Sequence, residues 1–139
     1  MAGEFELKPH TADVAIEATG PTYDAVFGAL GDGLAAAHVD ELPKSGARTL
    51  SVTITAESRT ALLFDYLDRL IYIRDVEAVL PVNNVVSIEE AGGKWTLEGE
   101  AEGVPLTDLA AREVKAITYS EMELEERDGT KYGYVVVDV

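Results

Sequence analysis

Ser58-Arg59-Thr60-Ala61-Leu62-Leu63-Phe64-Asp65-Tyr66-Leu67-Asp68-Arg69-Leu70-Ile71-Tyr72-Ile73 carries the strongest helical pattern of the chain. Leu62, Leu63, Tyr66, Leu67, Leu70, Ile71 and Ile73 recur at three- and four-residue spacing, and Ser58 supplies a hydroxyl cap. Upstream, Thr22 caps a second helix running to about His38, with Asp24 in its first turn and Val26, Phe27, Leu30, Leu34 and Ala37 as its apolar stripe. Before it lie a short strand, Glu4 to Lys8, and an alternating one, Val14 to Ala18. Between the helices, Pro43, Ser45 and Gly46 mark a loop before the strand Thr49 to Ala56. Beyond Ile73 the period changes to two, giving strands at Val76 to Leu80, Val82 to Glu90, Lys94 to Glu102, Glu113 to Glu125 and Lys131 to Val139. Ala91-Gly92-Gly93 and Asp128-Gly129 provide tight turns, and Leu106 to Arg112 reads as a loop or a short helical turn. The expectation is a single α+β domain over residues 1–139, two helices packed against a mostly antiparallel β-sheet of open strand order.

The 139 residues fit one core, and a content of 47% hydrophobic residues is enough to offset the entropy of ordering it. No run approaches the ~18 apolar residues of a spanning helix, and the start of the chain has no signal-like stretch, so a cytoplasmic protein without membrane contact is expected. The absence of cysteine leaves only oxygen and imidazole donors for a metal, which favours a hard cation. Lysine and arginine number 11 against 26 aspartates and glutamates, a formal net charge of −15. Such a field repels phosphate backbones, which argues against direct nucleic-acid binding. Spread along the chain rather than gathered in a tail, the carboxylates read as halophilic adaptation to strong brine, against the simpler alternative of ordinary solubility.

Three motifs place polar groups inside apolar runs: Pro9-His10-Thr11-Ala12-Asp13-Val14, Glu113-Val114-Lys115-Ala116-Ile117-Thr118-Tyr119, and Val135-Val136-Val137-Asp138-Val139. In the last, Val135 and Val137 face one side of a strand and Val136 and Asp138 the other. Asp138 alone reads either as a solvated strand end or as a buried carboxylate that needs a cation, backbone donors or Lys115. His10 alone reads as a packed or turn-stabilising residue, with Thr11 and Asp13 bonding nearby amides in an irregular turn. Lys115 is a surface charge, or the partner of a carboxylate or phosphate. No serine sits in a nucleophile elbow and no glycine loop joins a strand to a helix, so a hydrolase built from His10, Asp13 and Lys115 would have one imidazole and no nucleophile. The chain is not expected to be an enzyme.

Taken in this order, the three motifs, with Leu62-Leu63-Phe64-Asp65-Tyr66-Leu67, Met122 and Asp138, resemble the archease family from end to end. Ala15 stands where a glycine is expected, and Pro9 where an acidic residue is frequent. The resemblance implies an archease-like fold in an acidic, haloarchaeal-like member. It also implies an accessory protein that activates the tRNA-splicing RNA ligase, promoting ligase guanylylation and multiple turnover in tRNA splicing and RNA ligation. The family metal site maps onto Asp13, Asp138 and the carbonyl of Val139, suited to a divalent ion such as Ca²⁺. Lys115 matches a functionally important family lysine, and His10 falls in the same motif as Asp13. The alternative the resemblance allows is a chaperone or specificity modulator of a tRNA cytosine-5 methyltransferase, with a purely structural metal.

Overall fold

Two hydroxyl caps start the helices where the sequence places them. Thr22 Oγ1 accepts the Ala25 N–H at 3.1 Å and opens α1, Tyr23–His38; Ser58 Oγ accepts the Ala61 N–H at 3.1 Å and opens α2, Arg59–Glu77. The structure, a computed structural model, describes residues 3–10 and 13–139, apart from the side chains of residues 8–10. The strands are β1 (Glu4–His10), β2 (Asp13–Gly20), β3 (Arg48–Ala56), β4 (Val79–Ala91), β5 (Lys94–Pro105), β6 (Ala116–Arg127) and β7 (Thr130–Asp138).

All strand pairs are antiparallel, as expected, but they form two sheets rather than one: β1-β2-β7-β6 and β3-β5-β4. The cause lies in the segment after β5. Following a 3₁₀ turn at Leu106–Asp108, it crosses the end of α1, where the Arg112 N–H donates to the His38 carbonyl at 2.6 Å. The final hairpin therefore joins β2 instead of extending the sheet of β4. Both two-residue turns have the positive φ angles that match strand twist, 59° and 82° at Gly92 and Gly93, 52° and 80° at Asp128 and Gly129.

One core is shared by both sheets and both helices, with Ile16, Phe27, Leu30, Leu62, Leu63, Leu67, Leu97 and Val135 fully shielded from solvent. Helix α1 lies so close to the strands that a Cβ on Gly133 would come within 2.7 Å of Val26 Cγ1. It also covers the open side of β4. The Asp24 carboxylate accepts the Ile88 N–H at 3.2 Å, and the Asp32 carboxylate accepts the Asn84 N–H at 2.8 Å and its Nδ2 at 2.9 Å. Desolvation raises the Asp32 pKa, opposed by these bonds from Asn84. A buried Tyr66 hydroxyl donates to Asn84 Oδ1 at 3.2 Å, completing the network.

Three expected boundaries are corrected. Helix α2 runs past Ile73 to Glu77, and the Ala78 N–H closes it on the Arg74 carbonyl at 3.0 Å, so Val76 and Glu77 are helical rather than strand. The two strands expected either side of Pro81 are one, because β4 is an outer strand of its sheet, where a missing N–H is tolerated; the irregularity falls instead between Val82 and Val85. Strand β6 begins at Ala116, not Glu113, because the main chain at Val114 is held by a side chain of α2.

Candidate functional site

The alternation along β2 and β7 brings the first and last motifs together. Val14 pairs with Val137 and Ile16 with Val135, which turns these side chains to the core; the neighbouring positions face the other way. At the end of that ladder, Asp13 is the direct cross-strand partner of Asp138. Asp13 is half-buried and Asp138 exposed. The row continues on both sides, from His10 in β1, whose backbone pairs with Asp13, to Ala116 in β6, which pairs with Asp138. His10 and Asp13 are thus strand ends rather than parts of an irregular stretch. Thr11 and the His10 side chain lie outside the described residues, and the bonds expected of them with it.

Side chains directly opposite in an antiparallel pair have Cβ atoms roughly 4.5–5.5 Å apart, and like charges at such positions destabilise the ladder unless something offsets them. Two oxygens on one calcium-type ion can lie up to about 5 Å apart, given metal–oxygen distances of about 2.3–2.6 Å. The Asp13 and Asp138 pair therefore fits a hard divalent cation in spacing and donor chemistry. Among the described residues no group of three or more carboxylate or imidazole side chains is placed to hold a metal. The remaining ligands would be main-chain oxygens such as the carbonyl of Val139, whose residue directly follows β7, together with water or a partner's groups.

Lys115 lies beside this row. Its N–H donates to the Asp138 carbonyl at 2.7 Å, while its side chain is exposed. This bond joins two main chains and is not the side-chain pairing of Lys115 with the Asp138 carboxylate that the sequence offered as one alternative. The side chain borders a cavity of about 400 Å³ that also involves His38, Arg74, Leu109 and Arg112.

Arg74 and His38, which the sequence reading passed over, build the support behind Lys115. Arg74 is 8% exposed; its Nη1 donates to the Val114 carbonyl and to His38 Nε2, each at 2.7 Å, and its Nη2 to Asp75 Oδ1 at 2.6 Å. With Nε2 accepting, His38 is the tautomer whose Nδ1–H donates to the Leu34 carbonyl at 2.8 Å. Burial first, and then the nearby Arg74 and Arg112 charges, hold the His38 pKa below its usual value, against the raising influence of the Leu34 bond. Arg112 Nη1 donates to the Ala37 carbonyl at 2.9 Å and its guanidinium pairs with Asp40, placing a cation at the negative end of α1. The missed signal was spacing: Arg74 falls four residues after Leu70 and seven after Leu67, on the buried stripe of α2.

Together these observations define an α+β protein with two antiparallel sheets, in which a carboxylate pair and a braced lysine meet where the opening and closing strands run side by side. The chain belongs to the archease family. The family model described as "Archease protein family (MTH1598/TM1083)" matches residues 5–139. The protein archease of Pyrococcus furiosus is 31% identical over 140 residues, covering 98% of this chain and 99% of its own, and that of Methanothermobacter thermautotrophicus is 33% identical over 137 residues, covering 97% and 98%. The solution structure of Methanobacterium thermoautotrophicum protein 1598 superposes with a TM-score of 0.84 at 31% identity, over 97% of this chain and 98% of that one. A crystal structure from Thermotoga maritima, described as "an archease, possible chaperone", shares the fold with a TM-score of 0.61 at 19% identity, over 95% and 96%.

Proposed function

We propose that this chain is an accessory protein of the tRNA-splicing RNA ligase, promoting ligase guanylylation and multiple turnover in RNA ligation, with Asp13, Asp138 and the Val139 carbonyl holding a divalent cation. The observation that carries the reading is the cross-strand pairing of Asp13 with Asp138 beside an exposed Lys115. When bound, a calcium-type ion would supply positive charge at the protein's edge, where phosphoryl groups in a partner's site could be neutralised. The carboxylates orient along one face of the β2 and β7 ladder, and Lys115 adds a cation whose backbone is fixed from both sides. Guanylate transfer depends chiefly on positioning and charge neutralisation, so such a protein can raise the rate with no nucleophile of its own. It would act as a protein partner rather than an enzyme, and in the cytoplasm.

The test is a multiple-turnover assay of the purified ligase with the Asp13→Ala and Asp138→Ala variants. Each is expected to abolish stimulation and to lose Ca²⁺ binding by calorimetry while keeping the circular dichroism of the parent. Normal stimulation by both variants would refute the role of the pair. A second reading draws on the words "possible chaperone" attached to the Thermotoga protein. In it the chain protects a tRNA cytosine-5 methyltransferase and the carboxylates are dispensable for activity; suppression of methyltransferase aggregation by both alanine variants would favour it.

A further inference from the structure

Each sheet has two outer strands, and three of the four are guarded against pairing with another chain. Strand β4 has the α1 carboxylates Asp24 and Asp32 on its backbone donors; β1 contains Pro9; β6 loses register between Thr118 and Glu123. Strand β3 has none of these devices. It runs in unbroken register with β5 for nine residues, carries neither proline nor glycine, and has its one charge, Arg48, at its first position. Leu50, Val52 and Ile54 point to the core, and Thr49, Ser51, Thr53 and Thr55 to solvent.

Beside this strand runs a cavity of about 610 Å³, between Thr53, Ile54 and Thr55 on one side and Asp65, Asp68, Arg69 and Tyr72 of α2 on the other. The helical residues are spaced so that they form one flank of α2. Tyr72 and Val76, four residues apart, are 59% and 61% exposed and extend that flank as an apolar ledge. A groove between an open strand edge and a helix is the geometry in which an extended peptide adds to a sheet, with main-chain bonds giving affinity and alternate side chains giving specificity.

We infer that the groove between β3 and α2 is a docking site for an extended segment of another protein carrying lysine or arginine at alternate positions. The charge of the site selects that chemistry. Two carboxylates against one guanidinium line the helical flank, within a chain whose net charge is −15, so an acidic strand is repelled and a basic one drawn in. The side chains of the added strand that face α2 meet Asp65 and Asp68, and the aromatic face of Tyr72 can receive a cation. The site uses neither Asp13 nor Asp138, so it stands or falls separately from the cation reading.

The experiment is an NMR titration of the full chain with a synthetic peptide as long as β3 in which lysine alternates with threonine. Controls are the glutamate counterpart and the lysine peptide with every backbone nitrogen methylated. Saturable shifts confined to the β3 amides and the exposed flank of α2 are expected, with none from either control. The paired change Asp65→Lys and Asp68→Lys, at exposed helical positions, is expected to weaken binding about tenfold or more with the fold unchanged. Shifts elsewhere, equal binding by the methylated peptide, or indifference to the charge reversal would overturn the proposal. So would a dimer through β3 in the free chain by sedimentation, which would assign the edge to a second copy.

Discussion

A single buried guanidinium holds the segment that presents Lys115. Arg74 saturates the Val114 carbonyl and the His38 imidazole together, so truncating it leaves two buried acceptors without donors. Arg74→Met should cost about 2–4 kcal/mol in chemical denaturation and broaden the NMR signals of residues 109–115. His38 makes this support sensitive to acid. Its folded pKa is depressed below the ordinary 6.5, so in the window between the two values the unfolded chain binds more protons than the folded one. That contribution to stability is whole above 6.5 and is lost as pH falls through the folded value. His38→Gln, which keeps a group able to accept from Arg74, should flatten the fall of Tm between about pH 7 and pH 5. An unchanged slope would show that some other group dominates the acid response.

At the scale of elements, the caps and turns were local chemistry and therefore readable. Thr22, Ser58 and the Gly92-Gly93 and Asp128-Gly129 turns act within three or four residues of themselves, and each element appears where they predict. The ends of α2 and β4 were not readable in this way, because what decides them is distant: a sheet edge tolerates Pro81, and Val79 pairs with Pro105 twenty-six positions on. The same division runs through the site. Alternation places Asp138 opposite the core valines, but its pairing with Asp13 joins opposite ends of the chain and was implied only by the family resemblance. Arg74 drew no reading because the apolar stripe legible in the sequence of α2 ends at Ile73, one residue before it. The junction after α2 carries its own prediction. Ala78 closes the helix at φ 54°, a left-handed conformation that costs an alanine about 1–2 kcal/mol, part of which glycine gives back in unfolded-chain entropy. Ala78→Gly should therefore raise stability by a net ~0.5–1 kcal/mol, read as an increase in the urea midpoint with an unchanged m value.

Over the whole molecule, the dominant quantity is the charge of −15 distributed on a small surface. The ion pairs that neutralise part of it, such as Arg48 with Glu77, Arg127 with Glu125 and Lys131 with Glu126, are exposed and each contributes little. Most of the repulsion is left for dissolved ions to screen. The Debye length falls from about 10 Å at 0.1 M to about 3 Å at 1 M, so Tm should climb steeply with KCl over that range and then level off. A continued linear climb would instead indicate exclusion of salt from the surface, which strengthens apolar burial in any protein. Glu98 and Glu100 separate the two causes. They are exposed, two residues apart on one face of β5, so their like charges oppose each other and the rest of the field. Glu98→Gln with Glu100→Gln should add about 0.5–1 kcal/mol at low salt, vanish as an effect in strong brine, and shallow the salt dependence of Tm. If the double variant instead keeps the parent's full salt slope, carboxylate repulsion is not what the brine relieves, and the acidic composition must be explained by solubility alone.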